Sequence, residues 1–298
     1  VVSPREPAPG VGPSYDPRVR IGLSDEQLTL VSTWFPGFEV VTDHSWGLVD
    51  TTVLHLRADS GDVVVKAAGP ANHHIAREIV AHRRWTGPWL ATASVNRLLH
   101  ADAELNVLAL SHLPGGLVLD DPHAVADPDT YRQAGALLAA FHHQHRVVSE
   151  THEAEADAKA LAWLDREHRV DPATVVALRA AIATHEHQPV ELVPTHGDWH
   201  PRNWLLHEGV VRVIDLGRAA PRPAWTDLAR LARQEWQGAE HLERAFLAGY
   251  GEDPREPAPW RATLLREAVG TAVWAYQVGD EQFERQGHRM IRQALDLY

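Results

Sequence analysis

An aspartate at 198, an asparagine at 203 and a second aspartate at 215 fall within one stretch, THGDWHPRNWLLHEGVVRVIDLG, residues 195–217. A carboxylate beside Gly197 can orient a hydroxyl group and accept its proton, and the glycine permits a tight turn or the close approach of a ligand. Asn203 brings a neutral carbonyl oxygen suited to one side of a hard cation. Asp215, at the end of the next expected strand, brings a carboxylate that can bind Mg²⁺ through oxygen. One base, one amide and one metal carboxylate around a hairpin are the parts used in phosphoryl transfer, which is catalysed mainly by positioning and electrostatics. That chemistry also needs a cation on the phosphates. Lys66, closing the run VVVK, can supply it, with Glu78 twelve residues on as its partner; HSWGLVD is a turn in which Gly47 lets backbone lie over phosphates.

These residues need a scaffold, and the flanking sequence predicts one. Ser24 and Gln27 form a capping-box pattern that starts a helix in LSDEQLTLVSTWF. The following stretch reads as three strands: Val40 and Val41, then TTVLHLR, then Val63 to Lys66, with Asp59-Ser60-Gly61 as the turn between the last two. After Pro70 the spacing becomes helical, with Ile75, Ile79, Val80 and Trp85 on one side. SVNRLLH and LNVLALSHL read as two further strands. Pro114-Gly115-Gly116 breaks the pattern. Beyond it the chain is mostly helical, with Asp127-Pro128 and Asp171-Pro172 starting helices. The exception is the loop and hairpin that carry Asp198, Asn203 and Asp215. The expected fold class is α+β: a small antiparallel β-sheet lobe with one helix, then a larger, mainly α-helical lobe. The expected divisions are a flexible N-terminal arm over 1–20, the sheet lobe over 21–112 and the helical lobe over 113–298.

Bulk properties narrow the partners. A chain of 298 residues exceeds what one ordinary core holds, so one large domain or two lobes is expected. Lys+Arg 28 against Asp+Glu 40 gives a net charge of −12, which argues against a nucleic-acid backbone as partner. With no cysteine there are no disulfides, thiolate zinc sites or cysteine nucleophiles, in keeping with a cytoplasmic enzyme. No apolar run approaches the roughly 20 residues that span a bilayer, so no membrane partner is expected. Gly10 and Gly12 lack the strand and the third glycine of a dinucleotide fingerprint, and no G-x-x-x-x-G-K-[ST] motif occurs.

The ordered set of motifs resembles a known family. HGDWHPRN is similar to the catalytic loop of the aminoglycoside phosphotransferase and choline kinase-like families, which share the protein-kinase fold. IDLG resembles their metal-binding segment, LALSHLPGG their strand-to-linker stretch, and PAWTDLARL the helix after the metal segment, with Asp227 at the position of the family's aspartate. The resemblance implies a two-lobed, protein-kinase-like fold. It implies Asp198 as catalytic base, Asn203 and Asp215 as magnesium ligands, and Lys66 on the phosphates, held by Glu78. Gly47 would cover the nucleotide, and Ser111, His112 and Leu113 would meet the purine of ATP or GTP. The chain departs from the family pattern at Arg202, where a small residue is common, and at Leu216, where an aromatic residue is usual.

Other polar residues are given structural roles. His196 is read as a hydrogen-bonding support for the turn, and His142, His143 and His145 as occupants of a helix C-terminus. The tryptophans are expected mostly in cores. Trp199, beside the catalytic loop, and Trp274, Tyr276, Asp280 and Glu281 in WAYQVGDEQFE are candidates for the acceptor pocket. An acidic chain suits a cationic antibiotic, either an aminoglycoside or a basic cyclic peptide of the viomycin and capreomycin kind, inactivated by O-phosphorylation. The alternatives are a metabolic kinase for an amino alcohol, sugar or homoserine-like acceptor, and a catalytically silent kinase-like module. A monomer or homodimer is expected.

Overall fold

A computed structural model describes residues 22–45 and 50–298. The expected arm and Gly47 lie outside the described residues. The chain divides into two compact units, one running to Asn72 and including Leu99–His112, the other made of His73–Leu98 and Leu113–Tyr298.

In the first unit, helix α1 (Asp25–Trp34) begins with the expected capping box. The Ser24 hydroxyl accepts from the Gln27 N–H at 3.2 Å and the Ser24 N–H donates to Gln27 Oε1 at 3.0 Å. The Gln27 amide also donates to the carbonyls of Ala68 and Leu105, which ties the helix start to the sheet. That sheet runs in the order β1 (Glu39–Asp43), β2 (Thr51–Ala58), β3 (Gly61–Ala68), β5 (Val107–Ser111), β4 (Leu98–Asp102). β1–β2, β2–β3 and β3–β5 are antiparallel. Gly61, at φ +109°, closes the turn between β2 and β3. Alternation does the rest: Leu54, Leu56, Val63 and Val65 are buried with Val31 and Phe35 of α1. Register sets Lys66 opposite Val53 on one side and Leu108 on the other.

The second unit opens with α2 (His74–Arg84) and α3 (Gly87–Ala91). Ile75 and Ile79, four apart, are buried, whereas the expected Val80 lies a further 100° around the helix and is exposed. The strand expected over SVNRLLH starts later than its apolar pattern implies. Val95 makes an isolated parallel bridge to Val213, and β4 begins at Leu98. After β6 (Gly116–Leu117) and α4 (Pro122–Ala126), α5 (Pro128–His142) starts where Asp127 accepts from the Asp129 N–H. Then follow β7 (Val147–Ser149), α6 (His152–Leu164) and α7 (Pro172–Ile182), the last capped by Asp171 on the Thr174 N–H. β8 (Val190–Thr195), β9 (Trp204–His207), β10 (Val210–Val213) and β11 (Ala220–Arg222) surround the candidate site. Helices α8 (Ala229–Arg233), α9 (Glu240–Tyr250), α10 (Pro257–Val278) and α11 (Glu281–Leu295) complete the chain.

Two three-stranded sheets, β6-β9-β10 and β7-β8-β11, cross this helical unit. The second was not expected from sequence. Its strands are three to six residues long and pair Pro194 with Pro221, so they carry little alternating signal. An aromatic core of Trp89, Phe141, Trp199 and Trp204, with Tyr131 and Phe246, packs against them.

Candidate active site

The loop from β8 to β9 is fixed from behind by one carboxylate. Asp227 Oδ2 accepts from the His196 N–H at 2.8 Å and its Oδ1 from the Gly197 N–H at 2.6 Å. Oδ2 also meets Nε2 of His142 at 3.0 Å, and the His142 Nδ1 meets the Tyr250 hydroxyl at 2.8 Å. Burial opposes charge on Asp227, but the His142 hydrogen bond and the loop N–H groups outweigh it and hold the carboxyl below its usual range. Gly197 sits at φ +79°, and a Cβ there would run into the Arg218 carbonyl oxygen and the Arg222 guanidinium. Only glycine fits this turn without displacing backbone.

His196 has the supporting role read from sequence. Its Nδ1 accepts from the Asp198 N–H at 3.3 Å, which leaves Nε2 to donate to the Ile214 carbonyl at 3.1 Å. The ring, fully buried, thereby joins the Asp198 loop to the segment that precedes Asp215. A second tie runs alongside, from the Ile214 N–H to the Asn203 carbonyl at 3.0 Å. The β9–β10 hairpin turns at Glu208 and Gly209, both with positive φ, and returns the chain so that Val213 pairs with Trp204. The sequence distance between Asn203 and Asp215 is closed by these bonds.

Asp198 is 6% exposed. Its Oδ1 lies 2.6 Å from Nη1 of Arg230 and 3.5 Å from Nε2 of His200, and its Oδ2 accepts from Nη2 of Arg202 at 3.2 Å. Burial alone would raise the carboxyl, but the adjoining His200 ring and the guanidiniums of Arg230 and Arg218 hold it well below the usual carboxylate range. Asn203 is buried, and its Nδ2 donates to the Asp198 carbonyl at 2.7 Å. That bond fixes the amide and turns Oδ1 into the acceptor end available for a cation. Asp215 does not end a strand as expected: β10 stops at Val213, and Asp215 follows in the left-handed region at φ +66°. Such a conformation in a non-glycine residue is held by its surroundings and is common at functional turns. Here it leaves the carboxylate exposed, with Oδ1 3.4 Å from the Gly217 N–H. An oriented amide oxygen and an exposed carboxylate fit a hard divalent cation that completes its shell with phosphate and water.

The remaining expected residues divide between the units. Lys66, 9% exposed, stands near the end of β3 in the first. In the same unit Ser111 ends β5 opposite Val63, and His112 stacks on His55 at 4.4 Å while its N–H donates to the Asp62 carbonyl. Leu113 begins the second unit's main segment. Glu78, 1% exposed, lies on α2 with its Oε1 3.9 Å from Nε2 of His82.

A cavity of about 600 Å³ opens on Asp198 within the second unit. Trp274 lines it, with Trp163 and Phe283, and meets the Phe283 ring edge-on at 5.9 Å. Trp199 borders the same cavity, but its indole is 1% exposed and packed among Trp89, His196 and Trp204. Tyr276 donates to Glu167 at 2.8 Å, Asp280 caps α11 on the Phe283 N–H, and Glu281 is exposed; none of the three lines the cavity. What sequence reading missed is basic. Arg77, Arg218, Arg222 and Arg230 all line the cavity. Arginines on helices, turns and strand ends look like solvated surface in sequence, and no spacing rule separates these from the others.

Both the sequence and the fold resemble those of known proteins. The sequence model described as the phosphotransferase enzyme family matches residues 40–260. Among solved structures, aminoglycoside phosphotransferase APH(4)-Ia, in a ternary complex with ADP and hygromycin B, aligns with a TM-score of 0.67 at 13% identity, covering 90% of this chain and 97% of that one. Macrolide 2'-phosphotransferase MphH from Brachybacterium faecium aligns with a TM-score of 0.56 at 20% identity, over 90% and 98%. Choline kinase LicA from Streptococcus pneumoniae aligns at 0.62 and 12%, over 91% and 97%. At these identities the likeness is one of fold. No curated protein matches at the sequence level.

Proposed function

Since the chain belongs to the phosphotransferase enzyme family, we propose that it transfers the γ-phosphoryl group of ATP or GTP to a hydroxyl of a small molecule, with Asp198 aligning that hydroxyl. The observation that carries this reading is a carboxylate ion-paired to Arg202 and Arg230 at the wall of a cavity, on a loop whose backbone is held by Asp227 and His196. Asn203 and Asp215 would hold Mg²⁺, which when bound neutralises charge on the phosphate oxygens. Lys66 would add a further positive charge to the nucleotide, and Ser111 to Leu113 would meet the purine.

In the transfer, the acceptor oxygen bonds to the γ-phosphorus, the bond to the β–γ bridging oxygen breaks, and the nucleoside diphosphate leaves. The hydroxyl proton passes to Asp198 and on to solvent. Asp198 is a weak base in this setting because its cationic neighbours stabilise the charged form. That suits a loose transition state, where orienting the hydroxyl matters more than base strength. Arg230, at 2.6 Å, makes the shorter of the two arginine ion pairs to this carboxylate, Arg202 lying at 3.2 Å.

For the acceptor, an antibiotic remains within this reading, and the aromatic wall of Trp163 and Trp274 supports a ring-bearing molecule. A polycation is less well supported, because the net charge of −12 belongs to the whole chain while the cavity itself carries arginines. A metabolic hydroxyl acceptor of the sugar or homoserine-like kind gains from the same observation. The test is mass spectrometry of aminoglycosides, basic cyclic peptides, macrolides, choline, homoserine and sugars incubated with enzyme, Mg²⁺ and ATP or GTP. A phosphoryl-sized mass gain on one compound, lost by about a thousandfold in rate with Asp198→Ala, is expected. Normal turnover in Asp198→Ala would remove Asp198 from the mechanism.

A further inference from the structure

Three arginines meet in the cavity from three separate elements: Arg77 from α2, Arg218 from the turn after Asp215, and Arg222 from β11. Arg222 is fixed in place, with Nη1 donating to Thr195 Oγ1 and Nη2 to the Arg218 carbonyl, each at 3.0 Å. Neither bond supplies a counter-charge. Among the described residues, neither Arg77 nor Arg218 forms a side-chain hydrogen bond or an ion pair. The other charges of the cavity are largely spoken for. Arg266 holds Glu153 at 2.7 Å and also Asp157, Arg230 holds Asp198, and Asp227 is committed to His142 and two N–H groups. Of the acids that remain, Glu155 and Glu267 are exposed at the rim.

The electrostatic consequence is visible at Arg222. Burial is the main cause that lowers its proton affinity, and the guanidiniums of Arg77 and Arg218 add to it, while Asp227 and Glu267 act in the opposite sense. Three like charges facing one space repel one another unless an anion enters, and planar guanidiniums are suited to bidentate pairing with carboxylate or phosphate. His152 lines the same cavity, with burial as the first cause that lowers its pKa, so it can donate a hydrogen bond without adding charge.

We propose that Arg77, Arg218 and Arg222 form an oxyanion cradle for the acceptor, which therefore carries a carboxylate or phosphate besides the hydroxyl that Asp198 aligns. This rests on the phosphotransferase reading above and specifies its substrate class: a hydroxy acid or phosphorylated alcohol whose body lies against Trp163 and Trp274. The same chemistry could be offered by the γ-phosphoryl group of the nucleotide, and the experiment separates the two sources.

The experiment is calorimetric titration of the full chain saturated with Mg²⁺ and AMP-PNP, using three probes of one frame and different charge: D-gluconate, D-glucose and D-glucosamine. Wild type is expected to bind gluconate at least about tenfold more tightly than glucose, and glucosamine no more tightly than glucose. Arg77→Gln, at an exposed helix position, and Arg218→Gln should each erase the gluconate preference while changing AMP-PNP affinity by less than about twofold. Equal binding of gluconate and glucose, a preference for glucosamine, or a gluconate preference that survives both substitutions would overturn the cradle. A tenfold loss of AMP-PNP affinity in both variants, with gluconate binding unchanged, would assign the arginines to the nucleotide and overturn it too. Wild type that binds neither AMP-PNP nor GMP-PNP would instead bring down the phosphotransferase reading on which the cradle rests.

Discussion

Gly197 touches two groups of charge that are built in opposite ways. On one side, Asp227 is closed: both its oxygens accept hydrogen bonds from the loop N–H groups, and His142 completes the set. On the other, Arg222 faces the cavity with a hydroxyl and a carbonyl as its partners, and Arg218 lines the same cavity, neither with a carboxylate of its own. A closed set spends its electrostatics on holding the backbone. An open one keeps a potential that a ligand can satisfy. The glycine is the hinge of this contrast, since its N–H serves the first group while its missing Cβ makes room for the second.

The contrast can be broken first at Asp227. Asp227→Ala leaves two loop N–H groups and His142 without their acceptor at a buried position, and should cost about 3–5 kcal/mol of stability. Urea unfolding measures this, and a loss under about 1 kcal/mol would mean that the closed set does not hold the loop. Gly197→Ala comes next. It combines a left-handed φ with a collision against the Arg218 carbonyl and should cost about 2–3 kcal/mol, with kcat falling at least about tenfold because Asp198 moves with the loop.

The smallest effect sharpens the contrast by adding a third case. Glu235 is a carboxylate whose burial is not overcome by partners: Oε2 has none among the described residues, and burial pushes its pKa up to about 7. A folded-state pKa above the unfolded value means that the native state favours the protonated form. The associated stability is present at acid pH and lost as pH rises through about 7. Glu235→Gln should therefore leave the Tm nearly unchanged near pH 4.5 and raise it progressively towards pH 8. A gain of equal size at both pH values would point to packing instead.

Much of this arrangement could be read from residue types. The capping box at Ser24 and Gln27, the Asp127-Pro128 and Asp171-Pro172 helix starts, and the hairpin after Asn203 each depend on local rules, and each is where the sequence puts it. Asp198, Asn203 and Asp215 stood out because their residue types suit a base and a hard-cation site, and because HGDWHPRN and IDLG resemble segments of a known family. The rest depends on tertiary partners. β7-β8-β11 joins strands far apart in the chain, Asp215 takes a left-handed φ that its residue type does not announce, and Trp199 next to Asp198 turns inward to the core. The arginines of the cavity come from a helix, a turn and a strand, and become a group only once the chain is folded. The expectation of a cationic acceptor drew on net charge, a sum over the whole surface, whereas the charges lining the cavity depend on the fold.

The central claim is a division of labour: Asp198 serves the acceptor, and Asp215 with Asn203 serves the metal and nucleotide. Titration of AMP-PNP into wild type, Asp198→Ala and Asp215→Ala, with Mg²⁺ and with EDTA, tests it without knowledge of the acceptor. Wild type and Asp198→Ala should bind alike and lose at least about tenfold in affinity when Mg²⁺ is removed, about 1.4 kcal/mol. Asp215→Ala should bind weakly and with no dependence on Mg²⁺. If Asp198→Ala lost nucleotide binding, or Asp215→Ala kept the Mg²⁺ dependence of wild type, the roles assigned to the two aspartates would be wrong.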